Sequence, residues 1–182
     1  MNVPKQSIAV SENQSLGSIL SDDKSAIWEA LKTVVDPEIP VLTIHEMGIL
    51  RDVRIRDQQI IVQITPTYSG CPAIDFISQE IKQVLQKQGY SHVQVELVLA
   101  PAWTTDWMTD EAKQKLQDYG IAPPCKAAPL KSANTQTPIF KALCPHCQSI
   151  DTQLVSEFGS TACKALWRCN SCLEPFDYFK PL

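Results

Sequence analysis

Two Cys-x-x-Cys pairs, Cys144-Pro145-His146-Cys147 and Cys169-Asn170-Ser171-Cys172, stand 21 residues apart near the end of this 182-residue chain. Two intervening residues let both sulfurs of a pair reach one ion, and two such pairs complete a tetrahedron of thiolates. The gap slightly exceeds the ~15–20 residues usual between such pairs. It still accommodates two strands, near Thr152–Phe158 and Ala162–Arg168, turning at Gly159-Ser160. A segment of about 40 residues is close to the size at which a metal is needed to stabilise a fold. A structural zinc supplies on the order of 10–16 kcal/mol of apparent binding energy. The spacing therefore predicts a zinc ribbon, with Zn held by Cys144, Cys147, Cys169 and Cys172 and no open coordination position for catalysis. The same all-thiolate set also suits an iron–sulfur cluster. His146 could replace a sulfur, but four cysteines suffice, so it is expected to be exposed.

A lone cysteine, Cys71, carries the second chemistry. It lies in Thr65-Pro-Thr-Tyr-Ser-Gly-Cys-Pro-Ala-Ile-Asp75, where a strand (Ile60 to Ile64) hands over to a helix with apolar residues at Ile74, Ile77, Ile81, Val84 and Leu85. Pro72 fits the first helical position, and Gly70 allows a tight turn with room for a bulky approach. A sulfur at a helix N-terminus is expected to be favoured as a thiolate, able to attack or to hold a soft metal. The competing reading is a small buried hydrophobe, which free cysteine often is.

Composition narrows the classes. Apolar residues make up 44% of the chain and glycines number six, which fits a packed globule. No run of about 18 apolar residues is present, so no membrane span is expected. Residues 1–20 lack the basic start and apolar stretch of a signal peptide. Seven cysteines, four of them in Cys-x-x-Cys pairs, point to a reducing, cytoplasmic setting and to metal rather than disulfides. Residues 1–121 hold 10 basic and 16 acidic side chains, whereas 122–182 hold 6 and 4. An acidic main part argues against a nucleic-acid footprint.

The positioning elements follow from periodicity. Residues 1–20 read as a mobile tail, and Ser21-Asp22-Asp23 offers caps for a helix carrying Ile27, Leu31, Val34 and Val35. A loop over 37–48 leads to a hairpin, Leu50–Arg56 and Gln59–Thr65, turning at Asp57-Gln58. The helix from Pro72 ends near Gly89. Val93, Val95, Leu97 and Leu99 alternate as a third strand closed by Pro101. Thr109 caps a short helix with Ala112, Leu116 and Tyr119 inward, stopped at Gly120. The order α-β-β-α-β-α predicts an α+β domain over 21–121, a small mixed sheet with helices on one face. Prolines at 123, 124, 129 and 138 mark a linker over 122–140, and 141–182 form the ribbon module.

Other residues have weaker claims. Cys125 in the linker reads as an incidental thiol, and Cys163, sharing a strand face with Ala165 and Trp167, as core packing. His45-Glu46 could serve Cys71 as base or orienter, or be a polar loop pair. Asp36 and Glu38 could ligate or cap. Trp103, Asp106 and Trp107 form either a core lid or interface anchors for a partner. The three histidines and the lack of an ExxH pair argue against a four-helix di-iron site.

The segments Asp36-Pro37-Glu38-Ile39-Pro40-Val41-Leu42, Met47-Gly48-Ile49-Leu50 and Thr65 to Ala73 resemble the SufT-like family of small cytosolic domains linked to iron–sulfur cluster assembly. That family more often has an acidic residue followed by leucine where this chain reads Glu46-Met47. Pro101-Ala-Trp-Thr-Thr-Asp-Trp-Met108 together with the four-cysteine module is similar to one branch, the D (or J) subunits of phenylacetyl-CoA epoxidase. The likeness runs from about Ile27 to the C-terminus. It implies an accessory or maturation subunit in aerobic phenylacetate degradation, not itself the catalyst. Cys71 would assist iron or iron–sulfur centre assembly or repair as a transient ligand of Fe or an Fe–S cluster. Implied partners are the oxygenase and reductase subunits or iron–sulfur assembly proteins. One sulfur is too few for a cluster, so a homodimer sharing metal between two Cys71 side chains is one arrangement. The alternatives are a thiol enzyme, with only His45 or His92 as base, and a zinc-ribbon scaffold or nucleic-acid-binding protein.

Overall fold

Val53 and the series Ile60, Val62 and Ile64 place apolar side chains at strand period. In the computed structural model, which describes residues 24–56, 59–124 and 142–181, they form a hairpin of β1 (Leu50–Arg56) and β2 (Gln59–Ile64). Val53 lies opposite Val62 and Ile55 opposite Ile60, with an irregularity between Leu50 and Asp52. The expected turn at Asp57-Gln58, the N-terminal tail with its Ser21-Asp22-Asp23 cap, and Cys125 with most of the proline-rich segment lie outside the described residues.

A helix over 24–31 (α1) sets Ile27 and Leu31 into the same core as Val53, Val62 and Ile64 of this hairpin. β3 (Val93–Leu97) runs parallel to β2, and α2 (Ala73–Lys87) is the crossover between them, so the sheet order is β1-β2-β3. Ile74, Ile77, Ile81 and Leu85 bury one stripe of α2, and Gly89, at φ 94°, takes the left-handed position that ends it. α3 (Asp110–Tyr119) starts where the Thr109 hydroxyl accepts the Ala112 N–H at 3.0 Å, and it stops at Gly120 with φ 90°. The architecture is α+β, a mixed sheet with three helices followed by a ribbon-like module.

Three periodic expectations fail at element ends. α1 stops at residue 31, so that Val34 and Val35 lie beyond it, Val35 bridged to Thr43 and 40% exposed. Tyr119 is 52% exposed rather than inward, because the left-handed Gly120 turns the chain and Ile121 takes the buried place. Leu97 and Leu99 are exposed; β3 ends at Leu97 and is an edge strand, with no further strand beyond it among the described residues.

The C-terminal module is a four-stranded sheet of order β4-β7-β6-β5, made of β4 (Ile121–Ala122), β5 (Thr152–Ser156), β6 (Lys164–Cys169) and β7 (Pro175–Phe179). β7, not anticipated from the sequence, pairs antiparallel with β6 and parallel with β4. β4 follows α3 directly, so the main domain contributes a strand to the ribbon sheet. Phe179 and Cys163 in turn belong to the main hydrophobic core, whereas Ala165, Trp167, Phe176 and Tyr178 form a second core under the ribbon.

Candidate metal centres

The two Cys-x-x-Cys turns are built alike. The N–H of Cys144 donates to the Ser149 carbonyl and that of Cys169 to the Glu174 carbonyl, each at 3.0 Å. The residue after each second cysteine, Gln148 and Leu173, takes a positive φ of 60° and 69°, folding the loop back over its own sulfurs. Ser149 and Ser171 hydroxyls meet at 2.7 Å across the knuckles. The four sulfurs lie within 4.8 Å of one another, with Cys144 and Cys172 3.7 Å apart and Cys147 and Cys169 3.5 Å apart. These separations are far beyond the ~2.05 Å of a disulfide. They are close to the ~3.8 Å edge of a tetrahedron whose metal–sulfur bonds are about 2.3 Å. The donor set and its spacing fit a tetrahedral thiolate-bound metal ion.

Charge makes the same point. The backbone N–H groups of Cys172 and Ser171 point at the Cys169 sulfur, at 3.5 and 3.4 Å, and lower its pKa to about 6. The Glu174 N–H favours the Cys172 anion, yet desolvation and the neighbouring sulfurs win and push its thiol up to about 12. The four sulfurs cannot all ionise at this spacing without a cation among them. His146 is exposed and sits beside Gly120.

Cys71 occupies the turn before α2. Its own N–H donates to the Tyr68 carbonyl at 3.1 Å, which closes the loop and leaves the half-buried sulfur over the first turn of the helix. Burial pushes the Cys71 thiol up, although the Ala73 N–H and the Thr67 hydroxyl favour the anion; Asp36 and Cys163 add to the upward push. The expected helix-head donor is therefore present, but desolvation outweighs it. The standing thiolate anticipated from sequence is corrected to a neutral thiol at pH 7 in the metal-free protein.

The sulfur opens into a cavity of about 20 Å³, lined among others by Asp36, Glu38, Thr67, Thr161 and Cys163, room for about one water-sized occupant. Asp36 caps its loop, its Oδ1 accepting N–H groups from Glu38 at 2.8 Å and Ile39 at 2.9 Å. It is 5% exposed, and burial raises its pKa despite those bonds.

Neither His45 nor His92 lines this cavity. His45 packs edge-on to Trp28. Glu46 accepts from Lys115 at 2.6 Å and from the Thr43 N–H and hydroxyl at 3.0 Å, so it holds the loop rather than a proton. Trp103 is not an exposed anchor. It is buried, donates its indole N–H to the Met47 carbonyl at 3.0 Å and meets Phe179 edge to face. Trp107 is half-buried under the Arg51 guanidinium, 3.6 Å from the ring centroid. Cys163 does not share a strand face with Ala165 and Trp167. It precedes β6 and turns into the main core, which a two-residue alternation across the whole segment could not reveal.

Residues 24–97 match the family model described as iron–sulfur cluster assembly protein, and residues 128–180 that of the PaaD zinc beta ribbon domain. A protein of Escherichia coli (strain K12), provisionally named as the D subunit of 1,2-phenylacetyl-CoA epoxidase, is 48% identical over 92% of this chain and 98% of its own length. An Fe–S protein maturation auxiliary factor of Porphyromonas gingivalis is 35% identical over 50% of this chain and 87% of its own. The Fe–S protein maturation auxiliary factor SufT of Staphylococcus aureus is 33% identical over 44% and 92%. The shorter relatives cover roughly half of this chain, whereas the first spans nearly all of it. The chain belongs to the family of phenylacetyl-CoA epoxidase D subunits, an iron–sulfur cluster assembly domain joined in one polypeptide to a zinc β-ribbon.

Proposed function

We propose that this protein is an accessory subunit of a phenylacetyl-CoA epoxidase system that handles metal rather than performing the ring chemistry. Its task is to help assemble or repair an iron or iron–sulfur centre in the oxygenase or reductase subunits. Cys71 carries the iron or cluster transiently, and Cys144, Cys147, Cys169 and Cys172 hold a structural zinc. The observation that supports this most directly is the half-buried Cys71 thiol at the head of α2, opening with the Asp36 carboxylate into a space for one small occupant. Loading iron there exchanges the thiol proton for the metal, with no change of oxidation state. The zinc, with four thiolates and no free position, supplies folding energy to the ribbon.

A thiol enzyme with a histidine base is disfavoured, since neither His45 nor His92 lines the Cys71 cavity. The test is complementation of a deletion strain for growth on phenylacetate with wild type and Cys71→Ser, with iron measured in the isolated oxygenase and reductase. Loss of growth and under-loading of iron in the variant are expected. Full restoration by Cys71→Ser would overturn the role given to this thiol.

A further inference from the structure

We propose that Cys163 is the second sulfur ligand of the Cys71 cavity, so that a single chain grips one ferrous ion between a thiolate from each module, with the Asp36 carboxylate as third donor. This inference rests on the reading of Cys71 as an iron carrier and supplies what that reading lacks. One thiolate is a poor hold for a soft cation, and a second protomer is not needed to provide another.

The placement of Cys163 is the primary argument. It lies in the ribbon module by sequence, but only 8% of its surface is exposed and its side chain packs in the core of the assembly domain. The residues that follow it in β6, Ala165 and Trp167, serve the ribbon core instead. The chain thus turns one ribbon cysteine toward the wall of the cavity that Cys71 and Asp36 share. The sheet fixes that turn. Lys164, next in sequence, pairs with Phe179, and the Lys180 N–H donates to the Cys163 carbonyl at 2.9 Å.

The second argument is chemical. Two thiols and a carboxylate, contributed by the 36–39 loop, the head of α2 and the ribbon, border one enclosure of about 20 Å³. Lys164, the nearest base in sequence, is tied to Asp177 at 3.1 Å. Sulfur and oxygen donors from three separate segments suit a borderline-soft divalent cation. A mixed set with open positions suits release better than the closed four-thiolate ribbon does.

The two sites also differ in readiness. Among the described residues, the ribbon sulfurs are the group of three or more donors lying within 4.8 Å of one another; Asp36, Cys71 and Cys163 stand wider and would close on the ion. Binding displaces one proton from each thiol as two sulfur–iron bonds form, and iron stays ferrous throughout. The grip therefore tightens on loading and relaxes when a partner's thiolates take the iron and protons return to the two sulfurs.

The test uses the full chain with its zinc in place, given one equivalent of Fe²⁺ under anaerobic conditions. Iron-edge X-ray absorption counts sulfurs around the iron, and light scattering reports the mass of the loaded species. The expected result is two sulfurs per iron on a monomer. Cys163→Ser should lower this to one and weaken Fe²⁺ binding at least ~10-fold, since even outer-shell changes at metal sites cost that much. Zinc content of the variant reports whether its ribbon is intact; if it is not, the wild-type sulfur count decides alone. One sulfur in wild type, four sulfurs (iron in the ribbon), or an unchanged count in Cys163→Ser overturns the inference. If Cys71→Ser abolishes binding while Cys163→Ser does nothing, the carrier role stands and only the inference falls. If neither variant matters, both fall.

Discussion

Trp103 of the assembly domain and Phe179 of the ribbon meet edge to face, ring centroids 6.1 Å apart at 62°. Phe179 is fully buried in the main core, and the Trp103 indole N–H is spent on the Met47 carbonyl. The contact therefore couples the last strand of the ribbon to the 37–48 loop. Trp103→Ala removes the largest ring at this junction and should cost about 3–5 kcal/mol. Chemical denaturation followed by far-ultraviolet circular dichroism would show this as a lower midpoint, with Trp103→Phe recovering part of it.

Metal removal should act on the ribbon first. With four thiolate positions and a small second core, the module should depend on a bound ion. A strong chelator, or Cys172→Ala, is expected to release the metal and loosen the packing of Trp167 on Tyr178, whose rings now sit 5.9 Å apart. Near-ultraviolet circular dichroism and tryptophan emission would report the loss, while the helical signal of α2 persists.

Cys71 should alkylate slowly near neutral pH. Burial pushes its thiol above the usual 9.0, so the thiolate that reacts is scarce at pH 7. Iodoacetamide labelling of zinc-loaded protein, mapped by peptide mass, is expected to give a Cys71 rate that climbs with pH and reaches half its maximum above pH 9. A midpoint below 8 would restore the activated thiolate.

Asp36 carries a cost that vanishes at low pH. Burial raises its folded pKa above 3.8, so at low pH both folded and unfolded chains hold the proton and nothing is lost. As pH rises past 3.8 the unfolded chain ionises first, and stability falls until the folded pKa is passed. Asp36→Asn keeps an oxygen for the Glu38 and Ile39 N–H groups and removes the charge. Its melting temperature should exceed wild type at pH 7, with the gap closing toward pH 4, while iron binding weakens.

Gly48 stands at φ 70°, and a Cβ there would lie 2.7 Å from the Trp107 Cβ and 2.8 Å from its carbonyl oxygen. Gly48→Ala should therefore cost more than the ~1–2 kcal/mol of the left-handed backbone alone. Thermal melts would measure it.

Local patterns carry much of this architecture. The Ile74-Ile77-Ile81-Leu85 stripe, the Thr109 cap and the Gly89 and Gly120 stops are readable because each is decided within a few residues. The four ribbon sulfurs are readable for the same reason, since two-residue spacing places each pair without help from the rest of the fold. What escapes depends on distant partners. Cys163 obeys the parity of Ala165 and Trp167 in sequence, and only the turn before β6 and the neighbouring domain send it elsewhere. Trp103 could be lid or anchor by sequence, and Met47 and Phe179 around it decide for the core. The Cys71 proton misleads because the helix-head donor is local, whereas the desolvation opposing it comes from several segments.

β4 has a practical meaning for anyone dividing this protein. Ile121 and Ala122 pair with Asp177 and Tyr178, although composition puts the seam near these residues. A fragment beginning after Ala122 would leave Pro175–Phe179 with a bare, aromatic margin, an invitation to aggregate. A fragment ending before Ile121 would lack the two residues that knit the halves, so the halves are better altered by point changes than by scissors.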